Sequence, residues 1–264
     1  MKNEVLEQVL AIKDLRLDEL IWKDQATGHF AVTDGEKIYG VVSESYKPVS
    51  HQAVLAKVQE FLPEGKVENV YTDKNLARVV FNIVLPKVYE LKGDSPIQTY
   101  VNARNSLDGG WSIGLIVSPV RVFCRNSFVL HFSEAFIEIS ERHLESGVHR
   151  FFQKVPVVER VYNALEGQLK VAQALRELPC TTEKGKEFLT KLIEKKIIPQ
   201  KVGEEATSLF QTPRRKEDEA RDFWSVFNAT TDVLSRRLEE KGRLATLHQI
   251  ENVGEVFSQL VEVR

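Results

Sequence analysis

The sequence predicts an α+β protein: an antiparallel β-meander with helices, followed by a mainly helical C-terminal half. Three observations carry this. Between residues 66 and 124, segments rich in β-branched and aromatic residues are separated by turns too short to hold a crossover helix. Asp34-Gly35 lies between apolar strands, a strong short-range hairpin signal. From about Phe128 onward the apolar spacing becomes helical.

Taken in order, Val5, Leu6, Val9, Leu10, Ile12, Leu15, Leu17 and Leu20 form a stripe that predicts a helix over 3–20. The stretch 29–43 reads as a hairpin turning at Asp34-Gly35. Ser50 caps a helix that runs to Leu62, with Pro63 just beyond its end. Strands follow at 66–72, 76–85, 97–106 and 111–117, and 120–124 continues or restarts the last of them. The turns fall at Asp73-Lys74-Asn75, in a loop from Lys92, and at Asp108-Gly109-Gly110. Helices are expected at 128–150, 156–178 and 183–196. The polar stretch 200–222, with Gly203 and Pro213, reads as a linker, centred near 200–213. Thr212-Pro213 then opens a long helix ending near Gly242, and a last helix covers 244–262. The expected organisation is a sheet domain over 1–150 and a helical region over 151–264, packed on the first.

Composition narrows the function classes. Hydrophobic residues make up 42% and charged residues 28%, enough for a globular core. No apolar run approaches the roughly 18 residues that span a bilayer, and the first residues lack a signal peptide's apolar stretch. A cytoplasmic protein without a membrane partner is the expectation. Two cysteines, Cys124 and Cys180, are too few for a disulfide framework or a zinc ribbon. His143 and His149 stand six apart, not at the i, i+4 spacing of a zinc helix, so no metal is expected. No phosphate-binding loop, dinucleotide fingerprint or nucleophile elbow occurs, and no cofactor is expected. The net charge is −2 and no segment is a basic tail. Phosphates, if bound, would have to meet a patch assembled in three dimensions.

The densest polar cluster is NARNSLDGGWSIG (102–114), followed by SPVRVFCRNSF (118–128). Period two places Asn102, Arg104 and Ser106 on one strand face and Asn105 on the other. Arg121 and Arg125 bracket Cys124, and Asn126-Ser127 is placed to cap a following helix. Two readings stand. One is a polar groove that holds phosphate through arginine forks, with Tyr100 or Trp111 stacking a base. The other is a solvated or ion-paired face, in which Arg121 pairs with an acid such as Asp108 or Glu138.

Four stretches together resemble a known family. They are YGVVSESYKPVSHQAVLAKVQEFL (39–62), NSLDGGWSIGLIVSPVRVFCRNSF (105–128), ERHLESG (141–147) and FWSVFNATTDVLS (223–235). They are similar to the phage/plasmid-like family called domain of unknown function 932. More distantly, the order of meander and helix resembles phage-type single-strand annealing proteins. The family's polar positions fall on Asn105, Ser106, Asp108, Arg121, Cys124, Asn126, Arg142 and His143. Its phage and plasmid setting implies DNA metabolism.

Three functions follow as expectations. The first is a homo-oligomer that binds single-stranded DNA and promotes annealing or recombination, through Arg104, Arg121, Arg125, Tyr100, Trp111, Asn105, Ser106 and Asn126. The second is a hydrolytic enzyme acting on a phosphate-containing substrate, with Asp108, His143 and Cys124 as its catalytic groups. The third is an accessory protein that binds a host protein. Light scattering tests the oligomer directly.

Overall fold

The computed structural model describes residues 2–91, 93–122, 126–130, 138–153, 158–241 and 244–262. The chain forms two compact units. The first comprises Met1–Leu85, Val101–Ile116 and Ile137–Val158, and the second Pro86–Tyr100, Val117–Phe136 and Glu159–Arg264. The division follows contacts and is not a single cut near residue 150. The fold class is α+β, with antiparallel strands early and helices late.

The first unit begins with helix α1 (Lys2–Leu10) and a three-stranded antiparallel sheet, β1 (Arg16–Trp22), β2 (Gln25–Thr33) and β3 (Ile38–Ser43), in that spatial order. The helix expected over 3–20 therefore stops at Leu10. A tight turn at Lys23 and Asp24, with φ of 50° and 62°, joins β1 to β2. Both residues sit in the left-handed region that a two-residue hairpin of the primed type requires. The Asp34-Gly35 hairpin is present. Gly35 has φ +97°, and Asp34 Oδ1 accepts the amides of Glu36 and Lys37 at 3.0 and 2.9 Å. Val32, Tyr39, Val42, Tyr46, Ala77 and Leu107 form the core beneath this sheet. Helix α2 (His51–Phe61) starts where Ser50 Oγ accepts the amide of Ala53 at 3.2 Å. Its Phe61 meets Phe151 of helix α3 (Glu145–Gln153) edge to face at 5.7 Å.

Among the described residues the larger sheet has seven strands. Its main path runs β10 (Glu138–Glu141), β7 (Ile113–Val117), β6 (Ile97–Ser106), β5 (Arg78–Tyr89), β4 (Lys66–Thr72), so β4 to β7 are neighbours in chain order. Val67 stands opposite Ile83 and Leu115 opposite Ile139, both in antiparallel register. Two short strands, β8 (Val120–Arg121) and β9 (Asn126–Ser127), pair with each other, and β8 also pairs with β6. Asn126-Ser127 thus forms a strand and does not cap a helix; the Ser127 amide instead donates to Ser235 Oγ at 3.0 Å. Of the helix expected over 128–150, residues 131–137 fall outside the described residues, and from 138 onward the chain forms β10 and the start of α3 instead.

The second unit holds α4 (Val158–Arg176), α5 (Thr182–Glu194), α6 (Gln200–Gln211), α7 (Phe223–Lys241) and α8 (Leu244–Glu262). The expected linker is largely helix α6. Its Val202, Ala206 and Phe210 are buried at an i, i+4, i+8 spacing, which outweighs its polar composition. The chain from Thr212 to Asp222 carries only a short 3-10 turn at Lys216–Asp218, and the long helix opens at Phe223 instead of Pro213. Its core is aromatic. Trp224 stacks on Phe227 at 5.4 Å, and Phe257 meets Phe227 at 5.0 Å and Phe188 at 4.9 Å. Gln168 ties the end of β7 and the segment after β9 to α4, accepting from the Leu130 amide and donating to the Val117 carbonyl, each at 2.9 Å.

Candidate functional site

The NSLDGG motif builds a turn, and its side chains are consumed in building it. Asn105 and Ser106 are fully buried. Asn105 Nδ2 donates to the Val49 carbonyl and to His51 Nδ1, both at 2.9 Å, which pins the start of α2 to β6. Ser106 Oγ accepts the Trp111 amide at 3.1 Å and donates to the Trp111 carbonyl at 2.9 Å, closing the loop. Asp108 Oδ1 accepts the Gly110 amide at 2.9 Å, while Oδ2 pairs with Arg78 Nε at 2.7 Å. Gly109 takes φ +71°, a region that glycine enters without steric cost. Asn105 and Ser106, expected on a nucleic-acid surface, are therefore internal. What the motif leaves to a ligand is Gly109, Gly110 and the half-buried Trp111. Asn102 is also internal: Asn82 Nδ2 donates to its Oδ1 at 2.8 Å.

Facing this turn is the pair Tyr46 and His143. Their rings stack at 4.8 Å, tilted by 15°. Tyr46 Oη donates to the Ser106 carbonyl at 2.7 Å. The Lys47 amide donates to the His143 carbonyl at 2.7 Å, and His143 Nδ1 meets the Lys47 carbonyl at 3.2 Å. A carbonyl can only accept, so the proton sits on Nδ1 and Nε2 keeps its lone pair. Nε2 is buried without a hydrogen-bond partner. Tyr46, Gly109, Gly110, Trp111, Arg142 and His143 together line a cleft of about 320 Å³ in the first unit. Trp111 is also covered on one side by the Arg78 guanidinium, 5.7 Å from its ring centre. Arg142, on the other wall, is exposed.

Burial pushes both His51 and His143 down to about 4 from the ordinary 6.5. Below pH 6.5 an unfolded chain takes up protons at these positions, and the folded chain does not until about pH 4. Stability therefore falls as pH drops through that window, by about 2 kcal/mol per histidine at pH 5. Urea midpoints at pH 7.5 and pH 5 check this. Equal midpoints would show that the two imidazoles charge within the fold.

The expected arginines are placed differently. Arg121 is 1% exposed and belongs to the second unit. Its Nε donates to Asp94 Oδ1 at 2.8 Å, its Nη2 to the same oxygen, and its Nη1 to Asp218 Oδ1 at 2.9 Å. Arg176 Nη1 and Trp224 Nε1 both donate to Asp94 Oδ2. Burial holds the Asp218 carboxyl above its ordinary value, against the opposing pull of Arg121. The phosphate-facing Arg121 is thus corrected to an internal ion pair, and its acids are Asp94 and Asp218 instead of Asp108 or Glu138. Arg104 and Tyr100 are half-buried strand residues outside the cleft lining, and Tyr100 lies in the second unit. Cys124, Arg125 and the Asn126 side chain fall outside the described residues. Of the three groups in the hydrolytic reading, His143 lines the cleft, while Asp108 is outside its lining and paired with Arg78 at 2.7 Å. Among the described residues no group of three or more His, Cys, Asp or Glu is placed to hold a metal ion. No described helix is long and apolar enough to cross a membrane.

Sequence reasoning passed over Tyr46 as a site residue, and Arg142 entered only through the resemblance. Their signal is the meeting of YKPVSH with ERHLESG, two segments about 96 residues apart that are joined by the Tyr46–His143 stack and by the Lys47 backbone against His143. No curated protein and no solved structure matches the chain. A family model described as domain of unknown function (DUF932) matches residues 38–252, which includes the turn, the Tyr46–His143 pair and the Arg121 ion cluster. The chain belongs to the DUF932 family.

Proposed function

We propose that this protein binds single-stranded DNA at the Trp111 cleft, as a homo-oligomer that promotes annealing. The observation that supports it most is the composition of that cleft. A half-buried indole, the exposed Arg142 guanidinium and the side-chain-free edge of Gly109-Gly110 share one space of about 320 Å³. An aromatic face offers a base a sequence-tolerant stacking surface, and a guanidinium offers its phosphate a planar fork. Both Asp108 oxygens are already engaged, Oδ2 by Arg78 at 2.7 Å and Oδ1 by the Gly110 amide at 2.9 Å, which supports binding over hydrolysis. Annealing needs no nucleotide hydrolysis, consistent with a sequence that lacks a phosphate-binding loop. For assembly, β1 and β3 are edge strands, and they present Trp22 at 70% and Val41 at 53% exposure.

Gel shifts with a labelled single strand at two salt concentrations test the proposal. Trp111→Ala is expected to weaken binding by about 1–3 kcal/mol, the usual contribution of one stacked base. Arg142→Ala is expected to lower the log–log salt slope by about 0.7, one phosphate contact on a single strand. Wild-type affinity in both variants would remove the cleft from consideration.

A further inference from the structure

The cleft does not end beside Trp111. At Leu144, a residue common to both, it meets a wider hollow of about 780 Å³ whose lining includes Glu44, Lys47, Glu145 and His149. The same two chain segments, 43–47 and 142–149, wall both spaces. An extended strand lying in the first would run naturally into the second, but the charge reverses on the way. In the first stretch Arg142 is the lining cation, and Arg78 beside Trp111 is neutralised by Asp108. The second stretch exposes two carboxylates, Glu44 and Glu145, against one Lys47. That lysine is itself 3.9 Å from Glu145, which leaves one carboxylate in excess in this stretch. Glu145 also stands in the first turn of α3, where the helix end favours an anion. The protein fills that position with its own carboxylate, so an incoming phosphate gains nothing there.

We infer that the site takes one or two nucleotides, a strand end or a splayed-out residue, and that Glu44 and Glu145 repel the next phosphate. This rests on the single-strand reading of the cleft and adds to it a length limit set by two named residues. It also means that each protomer holds a very short piece of strand, so that a long strand would be held by several copies side by side.

Competition binding with 5′-phosphorylated deoxythymidine mono-, di- and tetranucleotides, at about 50 mM salt where exposed charges still interact, tests it. The wild type is expected to gain less than about threefold from two to four nucleotides, because the added phosphates meet carboxylates. The E44Q/E145Q variant is expected to bind the tetranucleotide about tenfold more tightly than wild type, with mononucleotide binding within about twofold. Both residues are exposed, so the variant should fold, and a circular dichroism spectrum verifies that. A wild-type gain above about fivefold from two to four nucleotides overturns the inference. So does a double variant whose tetranucleotide affinity equals the wild type's. If none of the three ligands binds the wild type at millimolar concentration, the single-strand reading of the cleft fails instead.

Discussion

Arg121→Ala is expected to lower stability by about 3–5 kcal/mol, because it removes from a buried ionic cluster the cation that Asp94 and Asp218 share. The Arg121 and Asp94 side chains are 1% and 0% exposed, so solvent cannot replace the lost partner. Asp94 would keep Arg176 and the Trp224 indole, but Asp218 would keep only Arg215 at 3.8 Å as a near cation among the described ion pairs. Two carboxylates would then face a cavity the size of a guanidinium. For a chain of this size the melting temperature should fall by about 6–20 °C. Arg121→Lys should recover only part of the loss, since a single ammonium cannot reproduce a fork that reaches Asp94 through two nitrogens and Asp218 through a third. Single-strand affinity of the folded fraction should stay at the wild-type level. Melting curves beside gel shifts decide the matter. Intact stability with weakened DNA binding would return Arg121 to the binding surface and sink the ion-cluster assignment.

That residue also shows where a single sequence stops being informative. The alternation of VRVFC set Arg121 apart from its apolar neighbours correctly, but period two says only that two faces differ, not that one is wet. Both residues of β8 are buried. The acids that receive Arg121 lie 27 and 97 residues away along the chain, in a loop and a 3-10 turn with no pattern to connect them. Local chemistry fared better. Asp34-Gly35, the Ser50 cap and the Asp108-Gly109 turn stand where the sequence put them, because each depends on atoms within a few residues. Strands 66–72 and 97–106 match β4 and β6 end to end. The first strand is hidden because its two half-buried residues, Leu17 and Leu20, stand three apart, a helical spacing, and the register shift between Glu19 and Ile21 breaks the alternation that marks a strand. Its turn at Lys23-Asp24 also lacks the glycine that usually marks a primed hairpin. Helix α6 is hidden because its polar composition masks the Val202–Ala206–Phe210 stripe that packs it. In the site, Asn105, Ser106 and Asp108 are legible as a motif but not as a scaffold: their side chains build the turn, and Gly109, Gly110 and Trp111 are the part of it that lines the cleft.

Gly40→Ala follows from that scaffold and couples fold to site. Gly40 lies in β3 opposite Val32, with the Asn105–Trp111 turn against it. A Cβ there would stand 2.4 Å from the Asp108 Cα and 2.6 Å from its Cβ, inside any allowed contact. Neither atom is the end of a flexible side chain. The turn cannot retreat easily, for it is held by the Leu107 amide on the Ala77 carbonyl at 2.7 Å and by the Asp108–Arg78 pair. Overpacking against fixed backbone should cost about 3 kcal/mol, the upper part of the usual range. The displaced turn carries Gly109, Gly110 and Trp111 with it, so single-strand affinity of the folded variant should fall by more than about tenfold, the loss of one well-placed stacking contact. Gly28→Ala is the control. Gly28 has φ +69° but nothing within 4 Å of its Cβ position, so alanine there meets backbone strain alone. It should cost about 1 kcal/mol and leave DNA binding unchanged. Urea unfolding and gel shifts on the two variants give four numbers. If Gly40→Ala loses stability while its DNA affinity stays at the wild-type level, the Asp108–Trp111 turn does not form the binding surface.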